Sequence, residues 1–169
     1  EALGSGDPEF SSPAVRAVPV AGRGIRAPTF QGVDMNAEVI ERCLEAVAER
    51  VGDPSEIVYR RLFELAPDLE ALFVRDTDGA VRGQMLQQVF ETLLDLVGSN
   101  HYAEVLIGTE WLNHQNLGVP ARQFELFFEA MISSFRDVLG PQWTPEIEAA
   151  WESVVTRIGA IILQRSLPA

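Results

Sequence analysis

Residues 109–128 read TEWLNHQNLGVPARQFELFF. An apolar helical pattern runs up to His114, and a Gly118-Val119-Pro120 corner follows it. Glycine and proline interrupt helices for opposite reasons: one has too much backbone freedom and the other lacks an N–H. Beyond the corner, Phe124, Phe127 and Phe128 recur at helical spacing. Three or four residues between apolar side chains puts them on one face of a helix. The stretch therefore predicts a short helix carrying one histidine, a tight corner, and a long aromatic helix behind it.

The same period extends outward in both directions. Upstream, Val39, Ile40, Cys43, Leu44, Val47 and Val51 predict a helix over about 36–51, closed by Gly52. Asp53-Pro54-Ser55-Glu56 then reads as a helix start, with Asp53 as cap and Glu56 completing a capping box. Ile57 to Leu65 continue it to Ala66-Pro67. A short helix through Leu72 and Phe73 and a polar RDTDG loop (75–79) come next. Residues 80–97 carry two merged apolar rows, among them Met85, Leu86, Val89, Phe90, Leu93 and Leu94. Downstream, the aromatic helix runs to Leu139, where Gly140-Pro141 stops it, and Thr144-Pro145 opens a last helix containing Trp151, Val154 and Ile158. No segment alternates with the period of two that a half-buried strand needs. The expectation is an all-α fold of about seven helices joined by short loops.

Composition narrows the function classes. At 169 residues the chain suits one domain with an extension. Every basic residue is Arg, and residues 34–169 hold 10 Arg against 22 acids, a net charge of −12. Such a surface repels nucleic acid and anionic lipid, because binding either means neutralising phosphates. No apolar run is long enough to span a bilayer. One cysteine, Cys43, forms no internal disulfide and fits a reducing compartment. The expected location is cytoplasmic, with no nucleic-acid or membrane partner. Residues 1–10 (EALGSGDPEF) have the look of a vector-encoded linker, and residues 11–34 read as a flexible Pro/Gly/Arg tail ahead of a domain at 35–169. There is no CxxC, HExxH, GxSxG or P-loop pattern, and RDTDG lacks the glutamate that would close a calcium loop.

The order of landmarks resembles the globin family, in particular bacterial single-domain haemoglobins and the globin domain of flavohaemoglobins. IVYRRLFELAPDLEALF (57–73) is similar to the family's stretch with a distal Tyr, a Pro corner and a Phe, here Tyr59, Pro67 and Phe73. The corner His-x-x-Leu-Gly-Val, with Phe124 after it, matches the ligand helix and its successor. Taken singly, Tyr59, Phe73, Leu86, Phe124 and Phe127 are ordinary core residues and Arg82 a solvated charge. Their joint spacing carries the resemblance.

That resemblance implies haem b (iron protoporphyrin IX) held by His114 as the metal ligand, with the other ring N–H on a backbone carbonyl one turn back. It also implies Phe73, Leu86, Val119, Phe124 and Phe127 as the apolar wall. Tyr59 becomes a distal donor to bound ligand, and an ungapped count back from His114 places Leu86 and Arg82 beside it, Arg82 reaching a propionate or the ligand. Two departures stand out: Glu110 occupies an ordinarily apolar place, and Phe124 and Ser166 replace the Tyr and Glu that strengthen the proximal His in flavohaemoglobins. The implied function is reversible binding of O2, NO or CO. NO dioxygenation would draw on an external reductase, so enzymatic status stays open. A globin-fold sensor acting through a signalling partner, with or without haem, is the other reading. Both a monomer and a homodimer fit.

Overall fold

The computed structural model describes residues 31–98 and 102–166, with side chains from Asn36 onward. The linker-like residues 1–10, residues 11–30 of the expected 11–34 tail and His101 lie outside the described residues, while residues 31–34, expected to be flexible, form the first turn of a helix. Among the described residues the chain is all-α: six α-helices and two 3-10 turns, without a strand. The α-helices are α1 (Gln31–Val51), α2 (Ser55–Leu65), α3 (Ala80–Val97), α4 (Ala103–Asn116), α5 (Ala121–Leu139) and α6 (Pro145–Ser166). The 3-10 turns cover Pro67–Phe73 and Gly140–Gln142. Helix α1 begins at Gln31, upstream of the Asn36 that the apolar pattern marks, because the first turns carry no apolar repeat to read.

Local chemistry sets the helix ends. Asp53 Oδ1 accepts the Ser55 N–H at 2.9 Å, so Asp53 does cap α2. Glu56 does not complete the expected capping box; its carboxylate faces Arg60, 4.0 Å away, on the solvent side of the helix. At the start of α3 the RDTDG loop supplies its own cap. Asp76 Oδ1 accepts from Val81 N–H at 2.9 Å and Oδ2 from Arg82 N–H at 3.1 Å. Two of the donors that every helix start leaves unpaired are thus satisfied by one carboxylate.

The helices bury one continuous apolar core. α2 packs along α5, α1 crosses α3, α5 and α6, and α4 lies against α3, α5 and α6. Trp151 and Phe135, both fully buried, meet edge to face at 6.0 Å, and the Trp151 indole N–H reaches Cys43 Sγ at 3.3 Å. The thiol is buried and its pKa is raised by desolvation, so Cys43 serves as a small core residue. No described helix is long and apolar enough to cross a membrane.

One long-range clamp is open to direct test. Arg50, in the last turn of α1, donates to the Val138 carbonyl at 2.7 Å and to Gln142 Oε1 at 2.6 Å. It thereby covers an orphan carbonyl at the end of α5 with a positive charge, where the helix dipole favours one. Arg50→Ala is expected to lower unfolding stability by about 1 kcal/mol. Chemical denaturation with an unchanged m-value would check it.

Candidate functional site

The turn after α4 sets the position of His114. Gly118, at φ 82°, adopts the left-handed conformation that side-chain-bearing residues avoid. The Val119 N–H then bonds the His114 carbonyl at 3.0 Å, and the Gly118 N–H bonds the Gln115 carbonyl at 2.9 Å. These paired bonds form a Schellman motif. It ends α4 one turn beyond His114 and folds Val119 back beside it. Pro120, with φ −67° and ψ 157°, then launches α5.

His114 is half-buried and its Nδ1 lies 2.8 Å from the Glu110 carbonyl oxygen. A carbonyl can only accept, so Nδ1 carries the proton. In the neutral ring this leaves Nε2, across the imidazole, with a lone pair for a ligand. The orientation is supported from behind. Phe124 stands edge-on to the imidazole with centroids 5.0 Å apart, and Trp111 packs on Phe124 at 5.5 Å.

His114 lines a deep cavity walled by five of the six α-helices and the first 3-10 turn. α2 contributes Tyr59 and Leu62, and the 3-10 turn adds Leu69, Leu72 and Phe73. From α3 come Met85, Gln88, Val89, Thr92 and Leu93; from α4, Leu106, Ile107, Glu110 and His114. Val119, Gln123, Phe124, Phe127, Phe128 and Ile158 complete it. The empty space is about 950 Å³ when the open mouth is included.

The remaining polar groups are sparse, and one is conspicuous. Tyr59 is 1% exposed, packed against Phe73 at 5.3 Å and Phe127 at 5.8 Å. Its hydroxyl is buried with no hydrogen-bond partner among the described residues. Desolvation pushes the phenol pKa far up, so the hydroxyl remains a proton donor at any physiological pH. An unpaired buried hydroxyl is costly. The Tyr59 side chain lines the cavity, so a bound ligand atom that comes within reach of the hydroxyl would remove that cost.

Of the residues singled out from sequence, His114, Tyr59, Phe73, Val119, Phe124 and Phe127 meet at this cavity. Arg82 and Leu86 do not line it. Arg82 donates from Nε to Asp76 Oδ2 at 2.8 Å and from Nη2 to the Asp76 carbonyl at 3.1 Å. Leu86 is 1% exposed inside the apolar core. On α3 the residues that line the cavity are Met85 and Val89, with Gln88 and Thr92 flanking, while Arg82 lies near enough to Tyr59 to act on its phenol electrostatically. Both apolar rows of α3 have helical period, and only packing decides which one faces the cavity. Glu110 does line the cavity, and its main-chain carbonyl holds the His114 ring.

The Asp76–Arg82 pair has a pH signature. Burial of the carboxyl (side chain 3% exposed) pushes its pKa up, but the Arg82 guanidinium and the Val81 and Arg82 N–H groups outweigh this and hold it below the ordinary 3.8. A depressed carboxyl stabilises the fold fully above its unfolded pKa and loses that contribution as pH falls through the folded one. Asp76→Asn is expected to melt at a lower temperature at neutral pH. The gap from the parent should be constant above about pH 5 and close as the pH drops below 3.8. Paired melting curves across that range would check it.

The family model described as Globin matches residues 57–162, which contain the whole cavity wall. Two curated relatives are the anaerobic nitrite reductases of Oryza sativa subsp. indica and of Oryza sativa subsp. japonica. Each is 26% identical over 108 residues, covering 62% of this chain and 74% of the relative. Both are plant proteins, so they do not single out the bacterial branch of the resemblance.

Proposed function

The chain belongs to the globin family, and from that premise we propose that it holds haem b in the cavity through His114 and reversibly binds a small diatomic ligand beside Tyr59. The observation that carries this is the pairing of two polar groups on one apolar wall. His114 is fixed as the tautomer with a free Nε2, and Tyr59 presents a buried, unpartnered hydroxyl. A haem-free interaction module has no use for a histidine held in one tautomer over an apolar cavity.

Each residue then has a defined part. The Glu110 carbonyl orients the imidazole and increases its basicity. Phe73, Val119, Phe124 and Phe127 exclude water. Haem, held by His114, would supply a reducible iron able to bind a diatomic ligand. Tyr59 donates a hydrogen bond to a ligand atom that carries partial negative charge, as in O2, and this slows ligand escape. Gln123 Nε2 donates to Asp68 Oδ2 at 2.5 Å and so ties the start of α5 to the 3-10 turn at the cavity wall.

Haem titration of the purified protein tests the reading. One equivalent should be taken up, the reduced form should show a histidine-ligated spectrum, and CO should shift it. A well-folded protein that takes up no stoichiometric haem overturns the proposal. The names of the rice relatives motivate a second ligand, nitrite. Its oxygen can accept the Tyr59 hydrogen bond, and reduction to NO and water consumes one electron and two protons. An NO electrode reading on anaerobically reduced protein decides that arm, and no NO above the haem-free control removes it.

A further inference from the structure

The cavity wall contributed by α3 carries a group that the gas-binding reading leaves without a task. Met85 lines the cavity together with His114, from a different helix. Reduced haem iron is bound well by imidazole and by sulfur ligands, and poorly by neutral oxygen donors. Among the cavity-lining residues only His114 and Met85 offer a ring nitrogen or a sulfur. Met131 is fully buried in the core away from the wall, and Cys43, on α1, packs against Trp151 of α6. Tyr59 remains a neutral phenol and donates rather than ligates. Met85 is unbranched, with three rotatable side-chain bonds before its methyl, and adapts its reach to the gap it faces.

We propose that the Met85 thioether is an internal sixth ligand to the haem iron, opposite His114, that an incoming gas must displace. This rests on the haem reading above. Two consequences follow from thioether chemistry. A soft neutral sulfur favours reduced over oxidised iron, so it raises the reduction potential and slows loss of the reduced form. It also competes with external ligand. The apparent affinity for CO falls by the fraction of time the iron is free.

The test uses haem-loaded full-length protein, reduced without oxygen. The parent should give a low-spin, six-coordinate absorption spectrum, and its proton NMR spectrum should show one methionine methyl shifted far upfield by the haem ring current. Met85→Leu should turn the reduced form five-coordinate and high-spin. If the thioether holds the iron nine-tenths of the time, CO association should also accelerate about tenfold. The NMR signal needs no variant, so it decides the matter even if Met85→Leu folds poorly. A parent protein that binds haem and is five-coordinate when reduced overturns this inference alone, as does a low-spin spectrum that persists in Met85→Leu. Failure to take up haem overturns the proposed function itself.

Discussion

His114→Ala is expected to fold normally and to lose tight haem binding. Losing a partner that merely orients a metal-ligating histidine costs roughly 10–100-fold in metal affinity. Losing the ligand itself should cost more than about 100-fold. The fold should hardly notice. The bond that shapes the corner runs from Val119 N–H to the His114 main-chain carbonyl, which alanine retains. His114 is only half-buried, and Phe124 keeps its contacts with Trp111 and Phe128. Apoprotein melting should therefore stay within the roughly 0.5 kcal/mol typical of substitutions outside the packed core. Some porphyrin should still enter the apolar cavity by burial alone, without the histidine-ligated spectrum. Added imidazole should restore that spectrum, because the space vacated by the side chain admits it. A variant with parental haem affinity and spectrum would show that the iron ligand is not His114.

The same corner shows how unevenly the fold was legible in sequence. The limits of α3 at Ala80 and Val97 could be read directly, because Gly79 and Gly98 bracket an uninterrupted helical-period pattern of apolar residues. Gly118 and Pro120 likewise announced the turn that positions His114, since each is needed there for a backbone reason. The facing of α3 could not be read. Leu86, Leu93 and Val97 form one apolar row and Met85, Val89 and Leu93 another, and periodicity treats them alike. Counting residues back from His114 assumes a connection length that a loop is free to change. One residue's shift rotates a helix by about 100°, and a three-residue shift separates Arg82 and Leu86 from Met85 and Val89, which line the cavity, by nearly a full turn. Asp76 was opaque for a related reason. In sequence it is one acid in a polar loop, and only the folded loop turns its carboxylate onto the first turn of α3 and the Arg82 side chain. Local signals thus revealed where most helices begin and stop, the start of α1 excepted, while rotation about their axes came from tertiary packing.

Tyr59→Phe is expected to move two measurements in opposite directions, and that opposition separates a functional hydroxyl from a structural one. In the apoprotein the hydroxyl is buried without a partner among the described residues. Removing it relieves an unpaired donor and leaves the ring contacts with Phe63, Phe73 and Phe127 intact. The apo variant should be more stable by roughly 1–3 kcal/mol. In the O2 complex the same deletion removes a hydrogen bond to a partly charged ligand, an interaction of about 1.5–3 kcal/mol. O2 should then leave roughly ten to a hundred times faster. CO carries far less charge when bound and serves as the control, so its release should change little. Because burial keeps the phenol protonated well above neutrality, the O2 effect should be flat between pH 6 and 9, a range far below the titration of that group. Melting of the apoproteins and stopped-flow O2 and CO release, run on the same preparations, check all of this. A variant that is less stable and releases O2 at the parental rate would make Tyr59 a packing residue whose hydroxyl finds water in the cavity, and the ligand contact would have to be sought at Gln88 or Thr92 on the α3 wall.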